Sequence, residues 1–171
     1  LEREIVETLH EAVARAAEGV DLSRVGAFLS GGLDSSTVSG LLSKLTPAPA
    51  RTFTIGFDLE GYDESGFADI AARHFGTDHN LYYVTPQDVF DLVPRIAAEF
   101  DEPFGNSSAV PTYFCARLAR EKGVDTLFAG DGGDEIFCGN ERYIDHRKYD
   151  RFLQSPPLFQ KAVLGLLATL P

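Results

Sequence analysis

The chain has 171 residues, 44% of them hydrophobic, which suits one domain with a real core. Its net charge is −11, and so acidic a surface repels a phosphate backbone, so nucleic acid is not expected as a partner. Cys115 and Cys138 make neither a disulfide framework nor a metal-ligand cluster, and neither a secretory pattern nor an apolar run of transmembrane length is seen. A cytoplasmic location with reduced thiols and no membrane partner is the expectation.

The elements follow in order. Leu1 to Ala17 carries apolar residues at helical spacing, with acids near its start as the helix dipole prefers. Val25–Leu29 is a short apolar strand, and Ser36–Leu45 after it has the spacing of a helix. Thr46-Pro47-Ala48-Pro49 breaks the pattern before a second strand at Arg51–Phe57. Asp63–Phe75 reads as a helix capped by Gly76, and Asn80–Val84 as a third strand. Thr85 and Pro86 open a helix that runs to about Phe100. After the loop Asp101–Ser108 come a helix over Pro111–Lys122 and a fourth strand over Asp125–Ala129.

Strands alternating with helices imply parallel pairing, with helices covering both faces of the sheet. In such sheets ligands sit beyond the carboxyl ends of the strands. Two glycine-rich loops fall there, Ser30-Gly31-Gly32-Leu33-Asp34-Ser35-Ser36 and Gly130-Asp131-Gly132-Gly133-Asp134-Glu135.

The first loop has the parts of a phosphate cradle. Glycines let the backbone approach an anion, and free N–H groups at the following helix start point toward it. A Walker loop would end in Gly-Lys-Ser/Thr, with the lysine reaching the terminal phosphates. Here Leu33 and Asp34 stand instead, and no lysine is near. An aspartate beside phosphates is repulsive unless a cation lies between them, and magnesium takes one or two carboxylates plus phosphate oxygens. Ordinary capping would need neither two glycines nor three hydroxyls around one aspartate. The run resembles the pyrophosphate loop of the ATP pyrophosphatase superfamily, whose members cleave ATP between the α and β phosphates.

The second loop packs three carboxylates and three glycines into Gly130–Glu135. Standing alone it could be a solvated acidic turn. Beside the first loop it suggests a magnesium clamp, Asp34 and Asp134 converging from neighbouring strand ends. A third segment, Asp101-Glu102-Pro103-Phe104-Gly105-Asn106-Ser107-Ser108-Ala109-Val110-Pro111-Thr112-Tyr113, completes the set. In this order the three resemble the synthetase domain of the glutamine-hydrolysing asparagine synthetase family, across essentially residues 1–171.

That resemblance implies a five-stranded α/β fold of the adenine nucleotide α-hydrolase type. It implies adenylation of a carboxylate by ATP, with aspartate as first choice, and then attack by ammonia derived from glutamine. Matched position by position, Ser30, Gly31, Gly32, Asp34, Ser35 and Ser36 fall on the pyrophosphate loop. Leu29, Ile55, Ala129 and Gly130 fall on positions around adenosine, and Asp34 and Asp134 on the magnesium side. Asp131 stands where an acidic residue is linked to acyl-adenylate formation, and Glu135 where a carboxylate binds the intermediate. Either could accept a proton from the attacking ammonia, as could pyrophosphate.

The sequence departs from the family pattern in places. Ala129 replaces a serine, Asp131 a glutamate, and Gly105 and Ser107 replace a threonine and an arginine that hold aspartate. Acceptors other than aspartate therefore stay open, as in β-lactam synthetases and other amidotransferases. A tRNA-modifying enzyme with a similar loop is disfavoured by the net charge, and a nucleotide-binding module without catalysis by its surplus of carboxylates. The resemblance also implies a glutaminase domain in cis before Leu1 and a phosphate-reaching lysine after the region covered. The chain lacks Met altogether and is expected to be a fragment, inactive by itself. Its apolar end, Leu158–Leu170, is expected to favour self-association, of which a homodimer is one form. His74 and His79 have poor metal-ligand spacing and read as surface histidines.

Overall fold

The computed structural model describes residues 1–58, 63–102, 105–137, 139 and 142–168. Pro103 and Phe104 of the third segment, Cys138, and the chain after Ala168 lie outside the described residues. Two compact units divide the chain, Leu1–Asp131 and Gly132–Pro171.

The first unit is a parallel sheet between helices. Helix α1 (Glu2–Ala16) leads to strand β1 (Val25–Phe28), then α2 (Leu33–Leu45), β2 (Arg51–Phe57), α3 (Ser65–Phe75), β3 (Asp78–Val84), α4 (Pro86–Glu99), α5 (Ala109–Glu121) and β4 (Thr126–Phe128). The strand order is β3-β2-β1-β4, and every pairing is parallel. Four strands form where five were expected. The reason is local: after β4 the described residues turn helical from Gly133, leaving no further extended segment to add to the sheet.

Alternation along the strands explains the two faces. Val25, Ala27 and Leu29 point one way, packing on Leu42 and Ala50 in one cluster and on Ala68 and Ala72 in another. Phe28, Phe53 and Ile55 point the other way, onto Cys115, Ala119 and Val124. Tyr82 and Val84 join that second face with Leu92 and Phe114. Full burial of a residue such as Leu42 is worth about 1.5–3 kcal/mol.

Local signals act where the sequence carries them. Gly76 ends α3 in the left-handed region, with φ 63°. Thr85 and Asp88 form a reciprocal capping box at α4, behind Pro86. Helix α2 starts three residues earlier than expected, so Leu33, Asp34 and Ser35 belong to its first turn.

The second unit contains α6 (Gly133–Phe137), α7 (Arg142–Leu153) and α8 (Pro157–Leu167). Leu158, Phe159, Leu164 and Leu167 on α8 are exposed. No helix among the described residues is long and apolar enough to cross a membrane.

Candidate functional site

The strand order reverses between β1 and β4. From β1 the chain steps outward through β2 and β3, then returns to place β4 on the other side of β1. A crevice opens beyond the carboxyl ends of the strands at such a switch point, and it is where ligands of this sheet type bind. Both glycine-rich loops leave from it, since Ala27 pairs with Phe128 just before them.

The first loop is held from below and from within. The Leu29 N–H donates to the Phe53 carbonyl at 2.9 Å, and the Thr54 hydroxyl donates to the Leu29 carbonyl. Leu29 is buried against Ala68 and Ala72, so its side chain anchors the loop from the core. The Ser30 N–H donates to Ser35 Oγ at 3.1 Å, and the two serine hydroxyls lie 2.8 Å apart. The Gly32 N–H donates to Ser30 Oγ at 3.3 Å. These bonds curl the segment back onto the first turn of α2.

Gly31 could be no other residue without strain. Its φ is +83°, and a Cβ there would lie 2.5 Å from the Ala68 nitrogen and from Phe67 Cβ. Gly32 is the N-cap of α2 and supplies no capping side chain. The first N–H groups of that helix are therefore left for an anion, at the positive end of its dipole. Ser36 Oγ is buried without a hydrogen-bond partner among the described residues. The half-buried Asp34 has no ion-pair or hydrogen-bond partner through its carboxylate among them.

The second loop touches the first. A Cβ on Gly130 would lie 2.7 Å from the Asp34 carbonyl carbon, 2.8 Å from Asp34 Cβ and 2.8 Å from the Ser35 nitrogen. Ala129 and Asp131, on either side, are exposed. Ile55 sits away from this contact. It is half-buried among the residues packing on α5, so its side chain serves the core.

Asp134 and Glu135 lie in the second unit, in the first turn of α6 rather than in an extended loop. Asp134 is half-buried and Glu135 exposed. The Gly139 N–H donates to the Asp134 carbonyl at 3.2 Å, and the Gly139 backbone runs against the Asp134 carboxylate. Asp34 belongs to the first unit. Among the described residues no group of three or more His, Cys, Asp or Glu side chains is set to hold a metal.

Elsewhere the reactive side chains are quiet or differ from expectation. Burial pushes the Cys115 thiol up to about 12, which leaves it protonated and inert at neutral pH. His79 is not a surface histidine. It is half-buried, its Nδ1 lies 3.2 Å from the Thr52 hydroxyl, and its Nε2 has no partner among the described residues. Burial holds it below the usual histidine range, with the Asp78 charge opposing.

The family model described as asparagine synthase matches residues 4–170. The chain belongs to the asparagine synthase family. It is 41% identical over 140 residues to a Methanocaldococcus jannaschii protein named "Putative asparagine synthetase [glutamine-hydrolyzing] 2", a match covering 81% of this chain and 27% of that one. It is 32% identical over 147 residues to "Asparagine synthetase [glutamine-hydrolyzing] 1" of Bacillus subtilis (strain 168), covering 86% and 23%. The chain thus spans about a quarter of the length of these curated relatives. A solved NH3-dependent NAD synthetase from Campylobacter jejuni is similar over 70% of this chain and 49% of that one, at TM-score 0.45 and 12% identity, too slight a likeness to carry weight.

One part of the loop's setting in this asparagine synthase family member was missed in the sequence. The first turn of α3, at Phe67 and Ala68, forms the wall behind Gly31. No spacing in the sequence signals it, because the contact joins segments more than thirty residues apart.

Proposed function

We propose that the chain is the ATP-binding part of an amide-forming ligase that adenylates a carboxylate, with aspartate the first candidate. The observation carrying this reading is the contact of the two glycine-rich loops at the switch point, where Gly130 abuts Asp34 and Ser35. The names of its relatives support the same chemistry.

In this reading the free N–H groups at the start of α2, with Ser30, Gly31, Gly32, Ser35 and Ser36, bind the β and γ phosphates that depart as pyrophosphate. Leu29, Ile55, Ala129 and Gly130 line the adenosine side, Ile55 through its backbone. The substrate carboxylate oxygen attacks the α phosphorus, the bond to the β-phosphate oxygen breaks, and pyrophosphate leaves. Most of the work is electrostatic: the loop holds the phosphates in line and spreads their charge.

A magnesium ion fits the donor set as an ion bound by one or two protein carboxylates and completed by phosphate oxygens. Asp34, unpartnered beside the anion-binding helix end, would hold it; the second carboxylate of the family pattern, Asp134, belongs to the other unit. When bound, the ion would neutralise charge on the departing pyrophosphate. Ammonia derived from glutamine then attacks the acyl carbon of the adenylate and AMP leaves. Asp131 or Glu135 accepts the ammonium proton, or pyrophosphate does. The ammonia would come from a glutaminase domain in cis in the full-length protein.

A second reading keeps the chemistry and changes the acceptor. Gly105 and Ser107 line a cleft of about 570 Å³ together with Val93, Ile96, Phe100 and Val110, and with the acidic Asp101 and Glu102. This reading is kept by Gly105 and Ser107, which stand where the family pattern has the threonine and arginine that hold aspartate.

The test is product analysis of the full-length protein with ATP, magnesium, glutamine and aspartate labelled with 18O in its side-chain carboxylate. The expected products are pyrophosphate and AMP carrying one labelled oxygen. ADP as product would overturn the reading. Turnover with other carboxylates and none with aspartate would favour the second acceptor class.

A further inference from the structure

Leu29 and Gly31, on either side of Ser30, both rest on α3. Leu29 packs on Ala68 and Ala72, and Gly31 lies against the backbone of Phe67 and Ala68. Whatever fixes the first turn of α3 therefore fixes the height of the loop. Glu64, the N-cap of this helix, makes no side-chain cap bond. Asp63 does that work: one carboxylate oxygen accepts from the Ser65 N–H at 3.2 Å, the other from the Ser65 hydroxyl at 2.9 Å. Tyr83 of β3 closes the set, its hydroxyl 3.0 Å from Ser65 Oγ and donating to Asp63 Oδ2 at 3.4 Å. The Tyr83 ring covers Gly56, where a Cβ would meet ring atom Cε1 at 2.6 Å, so the phenol is seated by packing before it bonds.

We propose that Asp63, Ser65 and Tyr83 form a positioning cluster that sets the pyrophosphate loop, through the first turn of α3, at the height ATP phosphates require. The inference rests on the reading of Ser30–Ser36 as a pyrophosphate loop. The cluster touches neither substrate nor loop; it acts through Phe67 and Ala68. Asp63 accepts these bonds as an anion: the Ser65 hydroxyl first, with the Ser65 N–H and the Tyr83 hydroxyl, holds its carboxyl below the usual range. The loss of one partner tilts the helix start rather than opening the core, because Ala68, Ala72 and Leu29 stay packed.

The test has two readouts on full-length protein carrying Asp63→Ala, Asp63→Asn or Tyr83→Phe. Hydrogen exchange at amides 31–35, without nucleotide, reads the loop directly. Steady-state kinetics reads KM for ATP apart from kcat. Asp63→Ala is expected to speed exchange in the loop and raise KM for ATP about tenfold, with kcat held within about twofold. Tyr83→Phe, which keeps the ring over Gly56, should move both readouts the same way by less. Asp63→Asn keeps an acceptor for Ser65 and should stay nearer wild type. Asp21→Ala, which removes the carboxylate that accepts from the Ser23 N–H and hydroxyl before β1, at the opposite end of the sheet from the loop, serves as the destabilised control and should leave both readouts unchanged. Faster exchange with unchanged KM, or a fall in melting temperature alone, overturns the positioning role. Absence of ATP binding in the wild-type protein would overturn the pyrophosphate-loop reading, and the cluster's role with it.

Discussion

Gly130 meets Asp34 backbone to backbone: a single added Cβ at position 130 would come within 2.8 Å of Asp34 Cβ and of the Ser35 nitrogen. Within the first unit, the start of the loop after β4 thereby packs directly on the loop after β1. What disturbs one is felt by the other.

Gly130→Ala should accordingly force the loops apart, at a cost of about 1–3 kcal/mol, and weaken ATP binding at least tenfold, roughly the cost of overpacking a close contact. Gly165→Ala in α8, where a Cβ would meet nothing within 4 Å, is the counterpart. It should stabilise the helix by about 0.5–1 kcal/mol and leave nucleotide binding alone. Chemical denaturation and calorimetry with ATP check both. Equal effects from the two variants would dismiss the loop contact as a determinant.

Asp34→Ala keeps the Cβ that touches Gly130 and removes only the unpartnered carboxylate. Stability should fall little, by about 0.3–1 kcal/mol for an acid lost from a first helical turn. Magnesium-dependent pyrophosphate exchange into ATP by the full-length protein should fall roughly a hundredfold or more. Near-normal exchange would rule Asp34 out as a cation ligand.

His79 should make the fold sensitive to mild acid. Burial depresses its folded pKa below the unfolded value near 6.5, so the unfolded chain binds the proton more readily. Its contribution is complete above about pH 6.5 and is lost as pH falls through the interval down to the folded value. Denaturant midpoints measured from pH 7.5 to 5 should decline in the wild type and decline less in His79→Gln. Parallel curves would show that other groups govern this range.

Thr85→Ala should cost about 1 kcal/mol, the usual value of a helix N-cap, because the hydroxyl receives the Asp88 N–H at 3.1 Å. The Asp88 carboxyl is held low by the Thr85 N–H first and then by its hydroxyl. This stabilisation is present above the ordinary aspartate pKa and fades as pH falls through the lower folded value. The difference between wild type and Thr85→Ala should therefore shrink in strong acid, as urea titrations at pH 7 and pH 2.5 would reveal. A difference constant with pH would remove Asp88 from the cap.

Residues 1–171 determined much by themselves, because the relevant signals are local. A short apolar run marks β1, β-branched and aromatic residues mark β2, Thr85-Pro86 opens α4, Gly76 closes α3, and Ser30–Ser36 announces an anion site through neighbouring residues alone. Helices α6 and α7 were not legible: α6 begins inside a glycine-rich run, and α7 carries mostly polar residues without a clear apolar stripe. The number of strands also needed the fold, since nothing within β4 says whether another strand follows. Tertiary structure alone decided that Ile55 turns its side chain into the core, that His79 is half-buried beside Thr52, and that Gly31 rests on α3. It also put Gly130 against Asp34. Each of these contacts joins residues far apart in sequence, and its existence depends on strand order and helix packing, which local propensity does not encode.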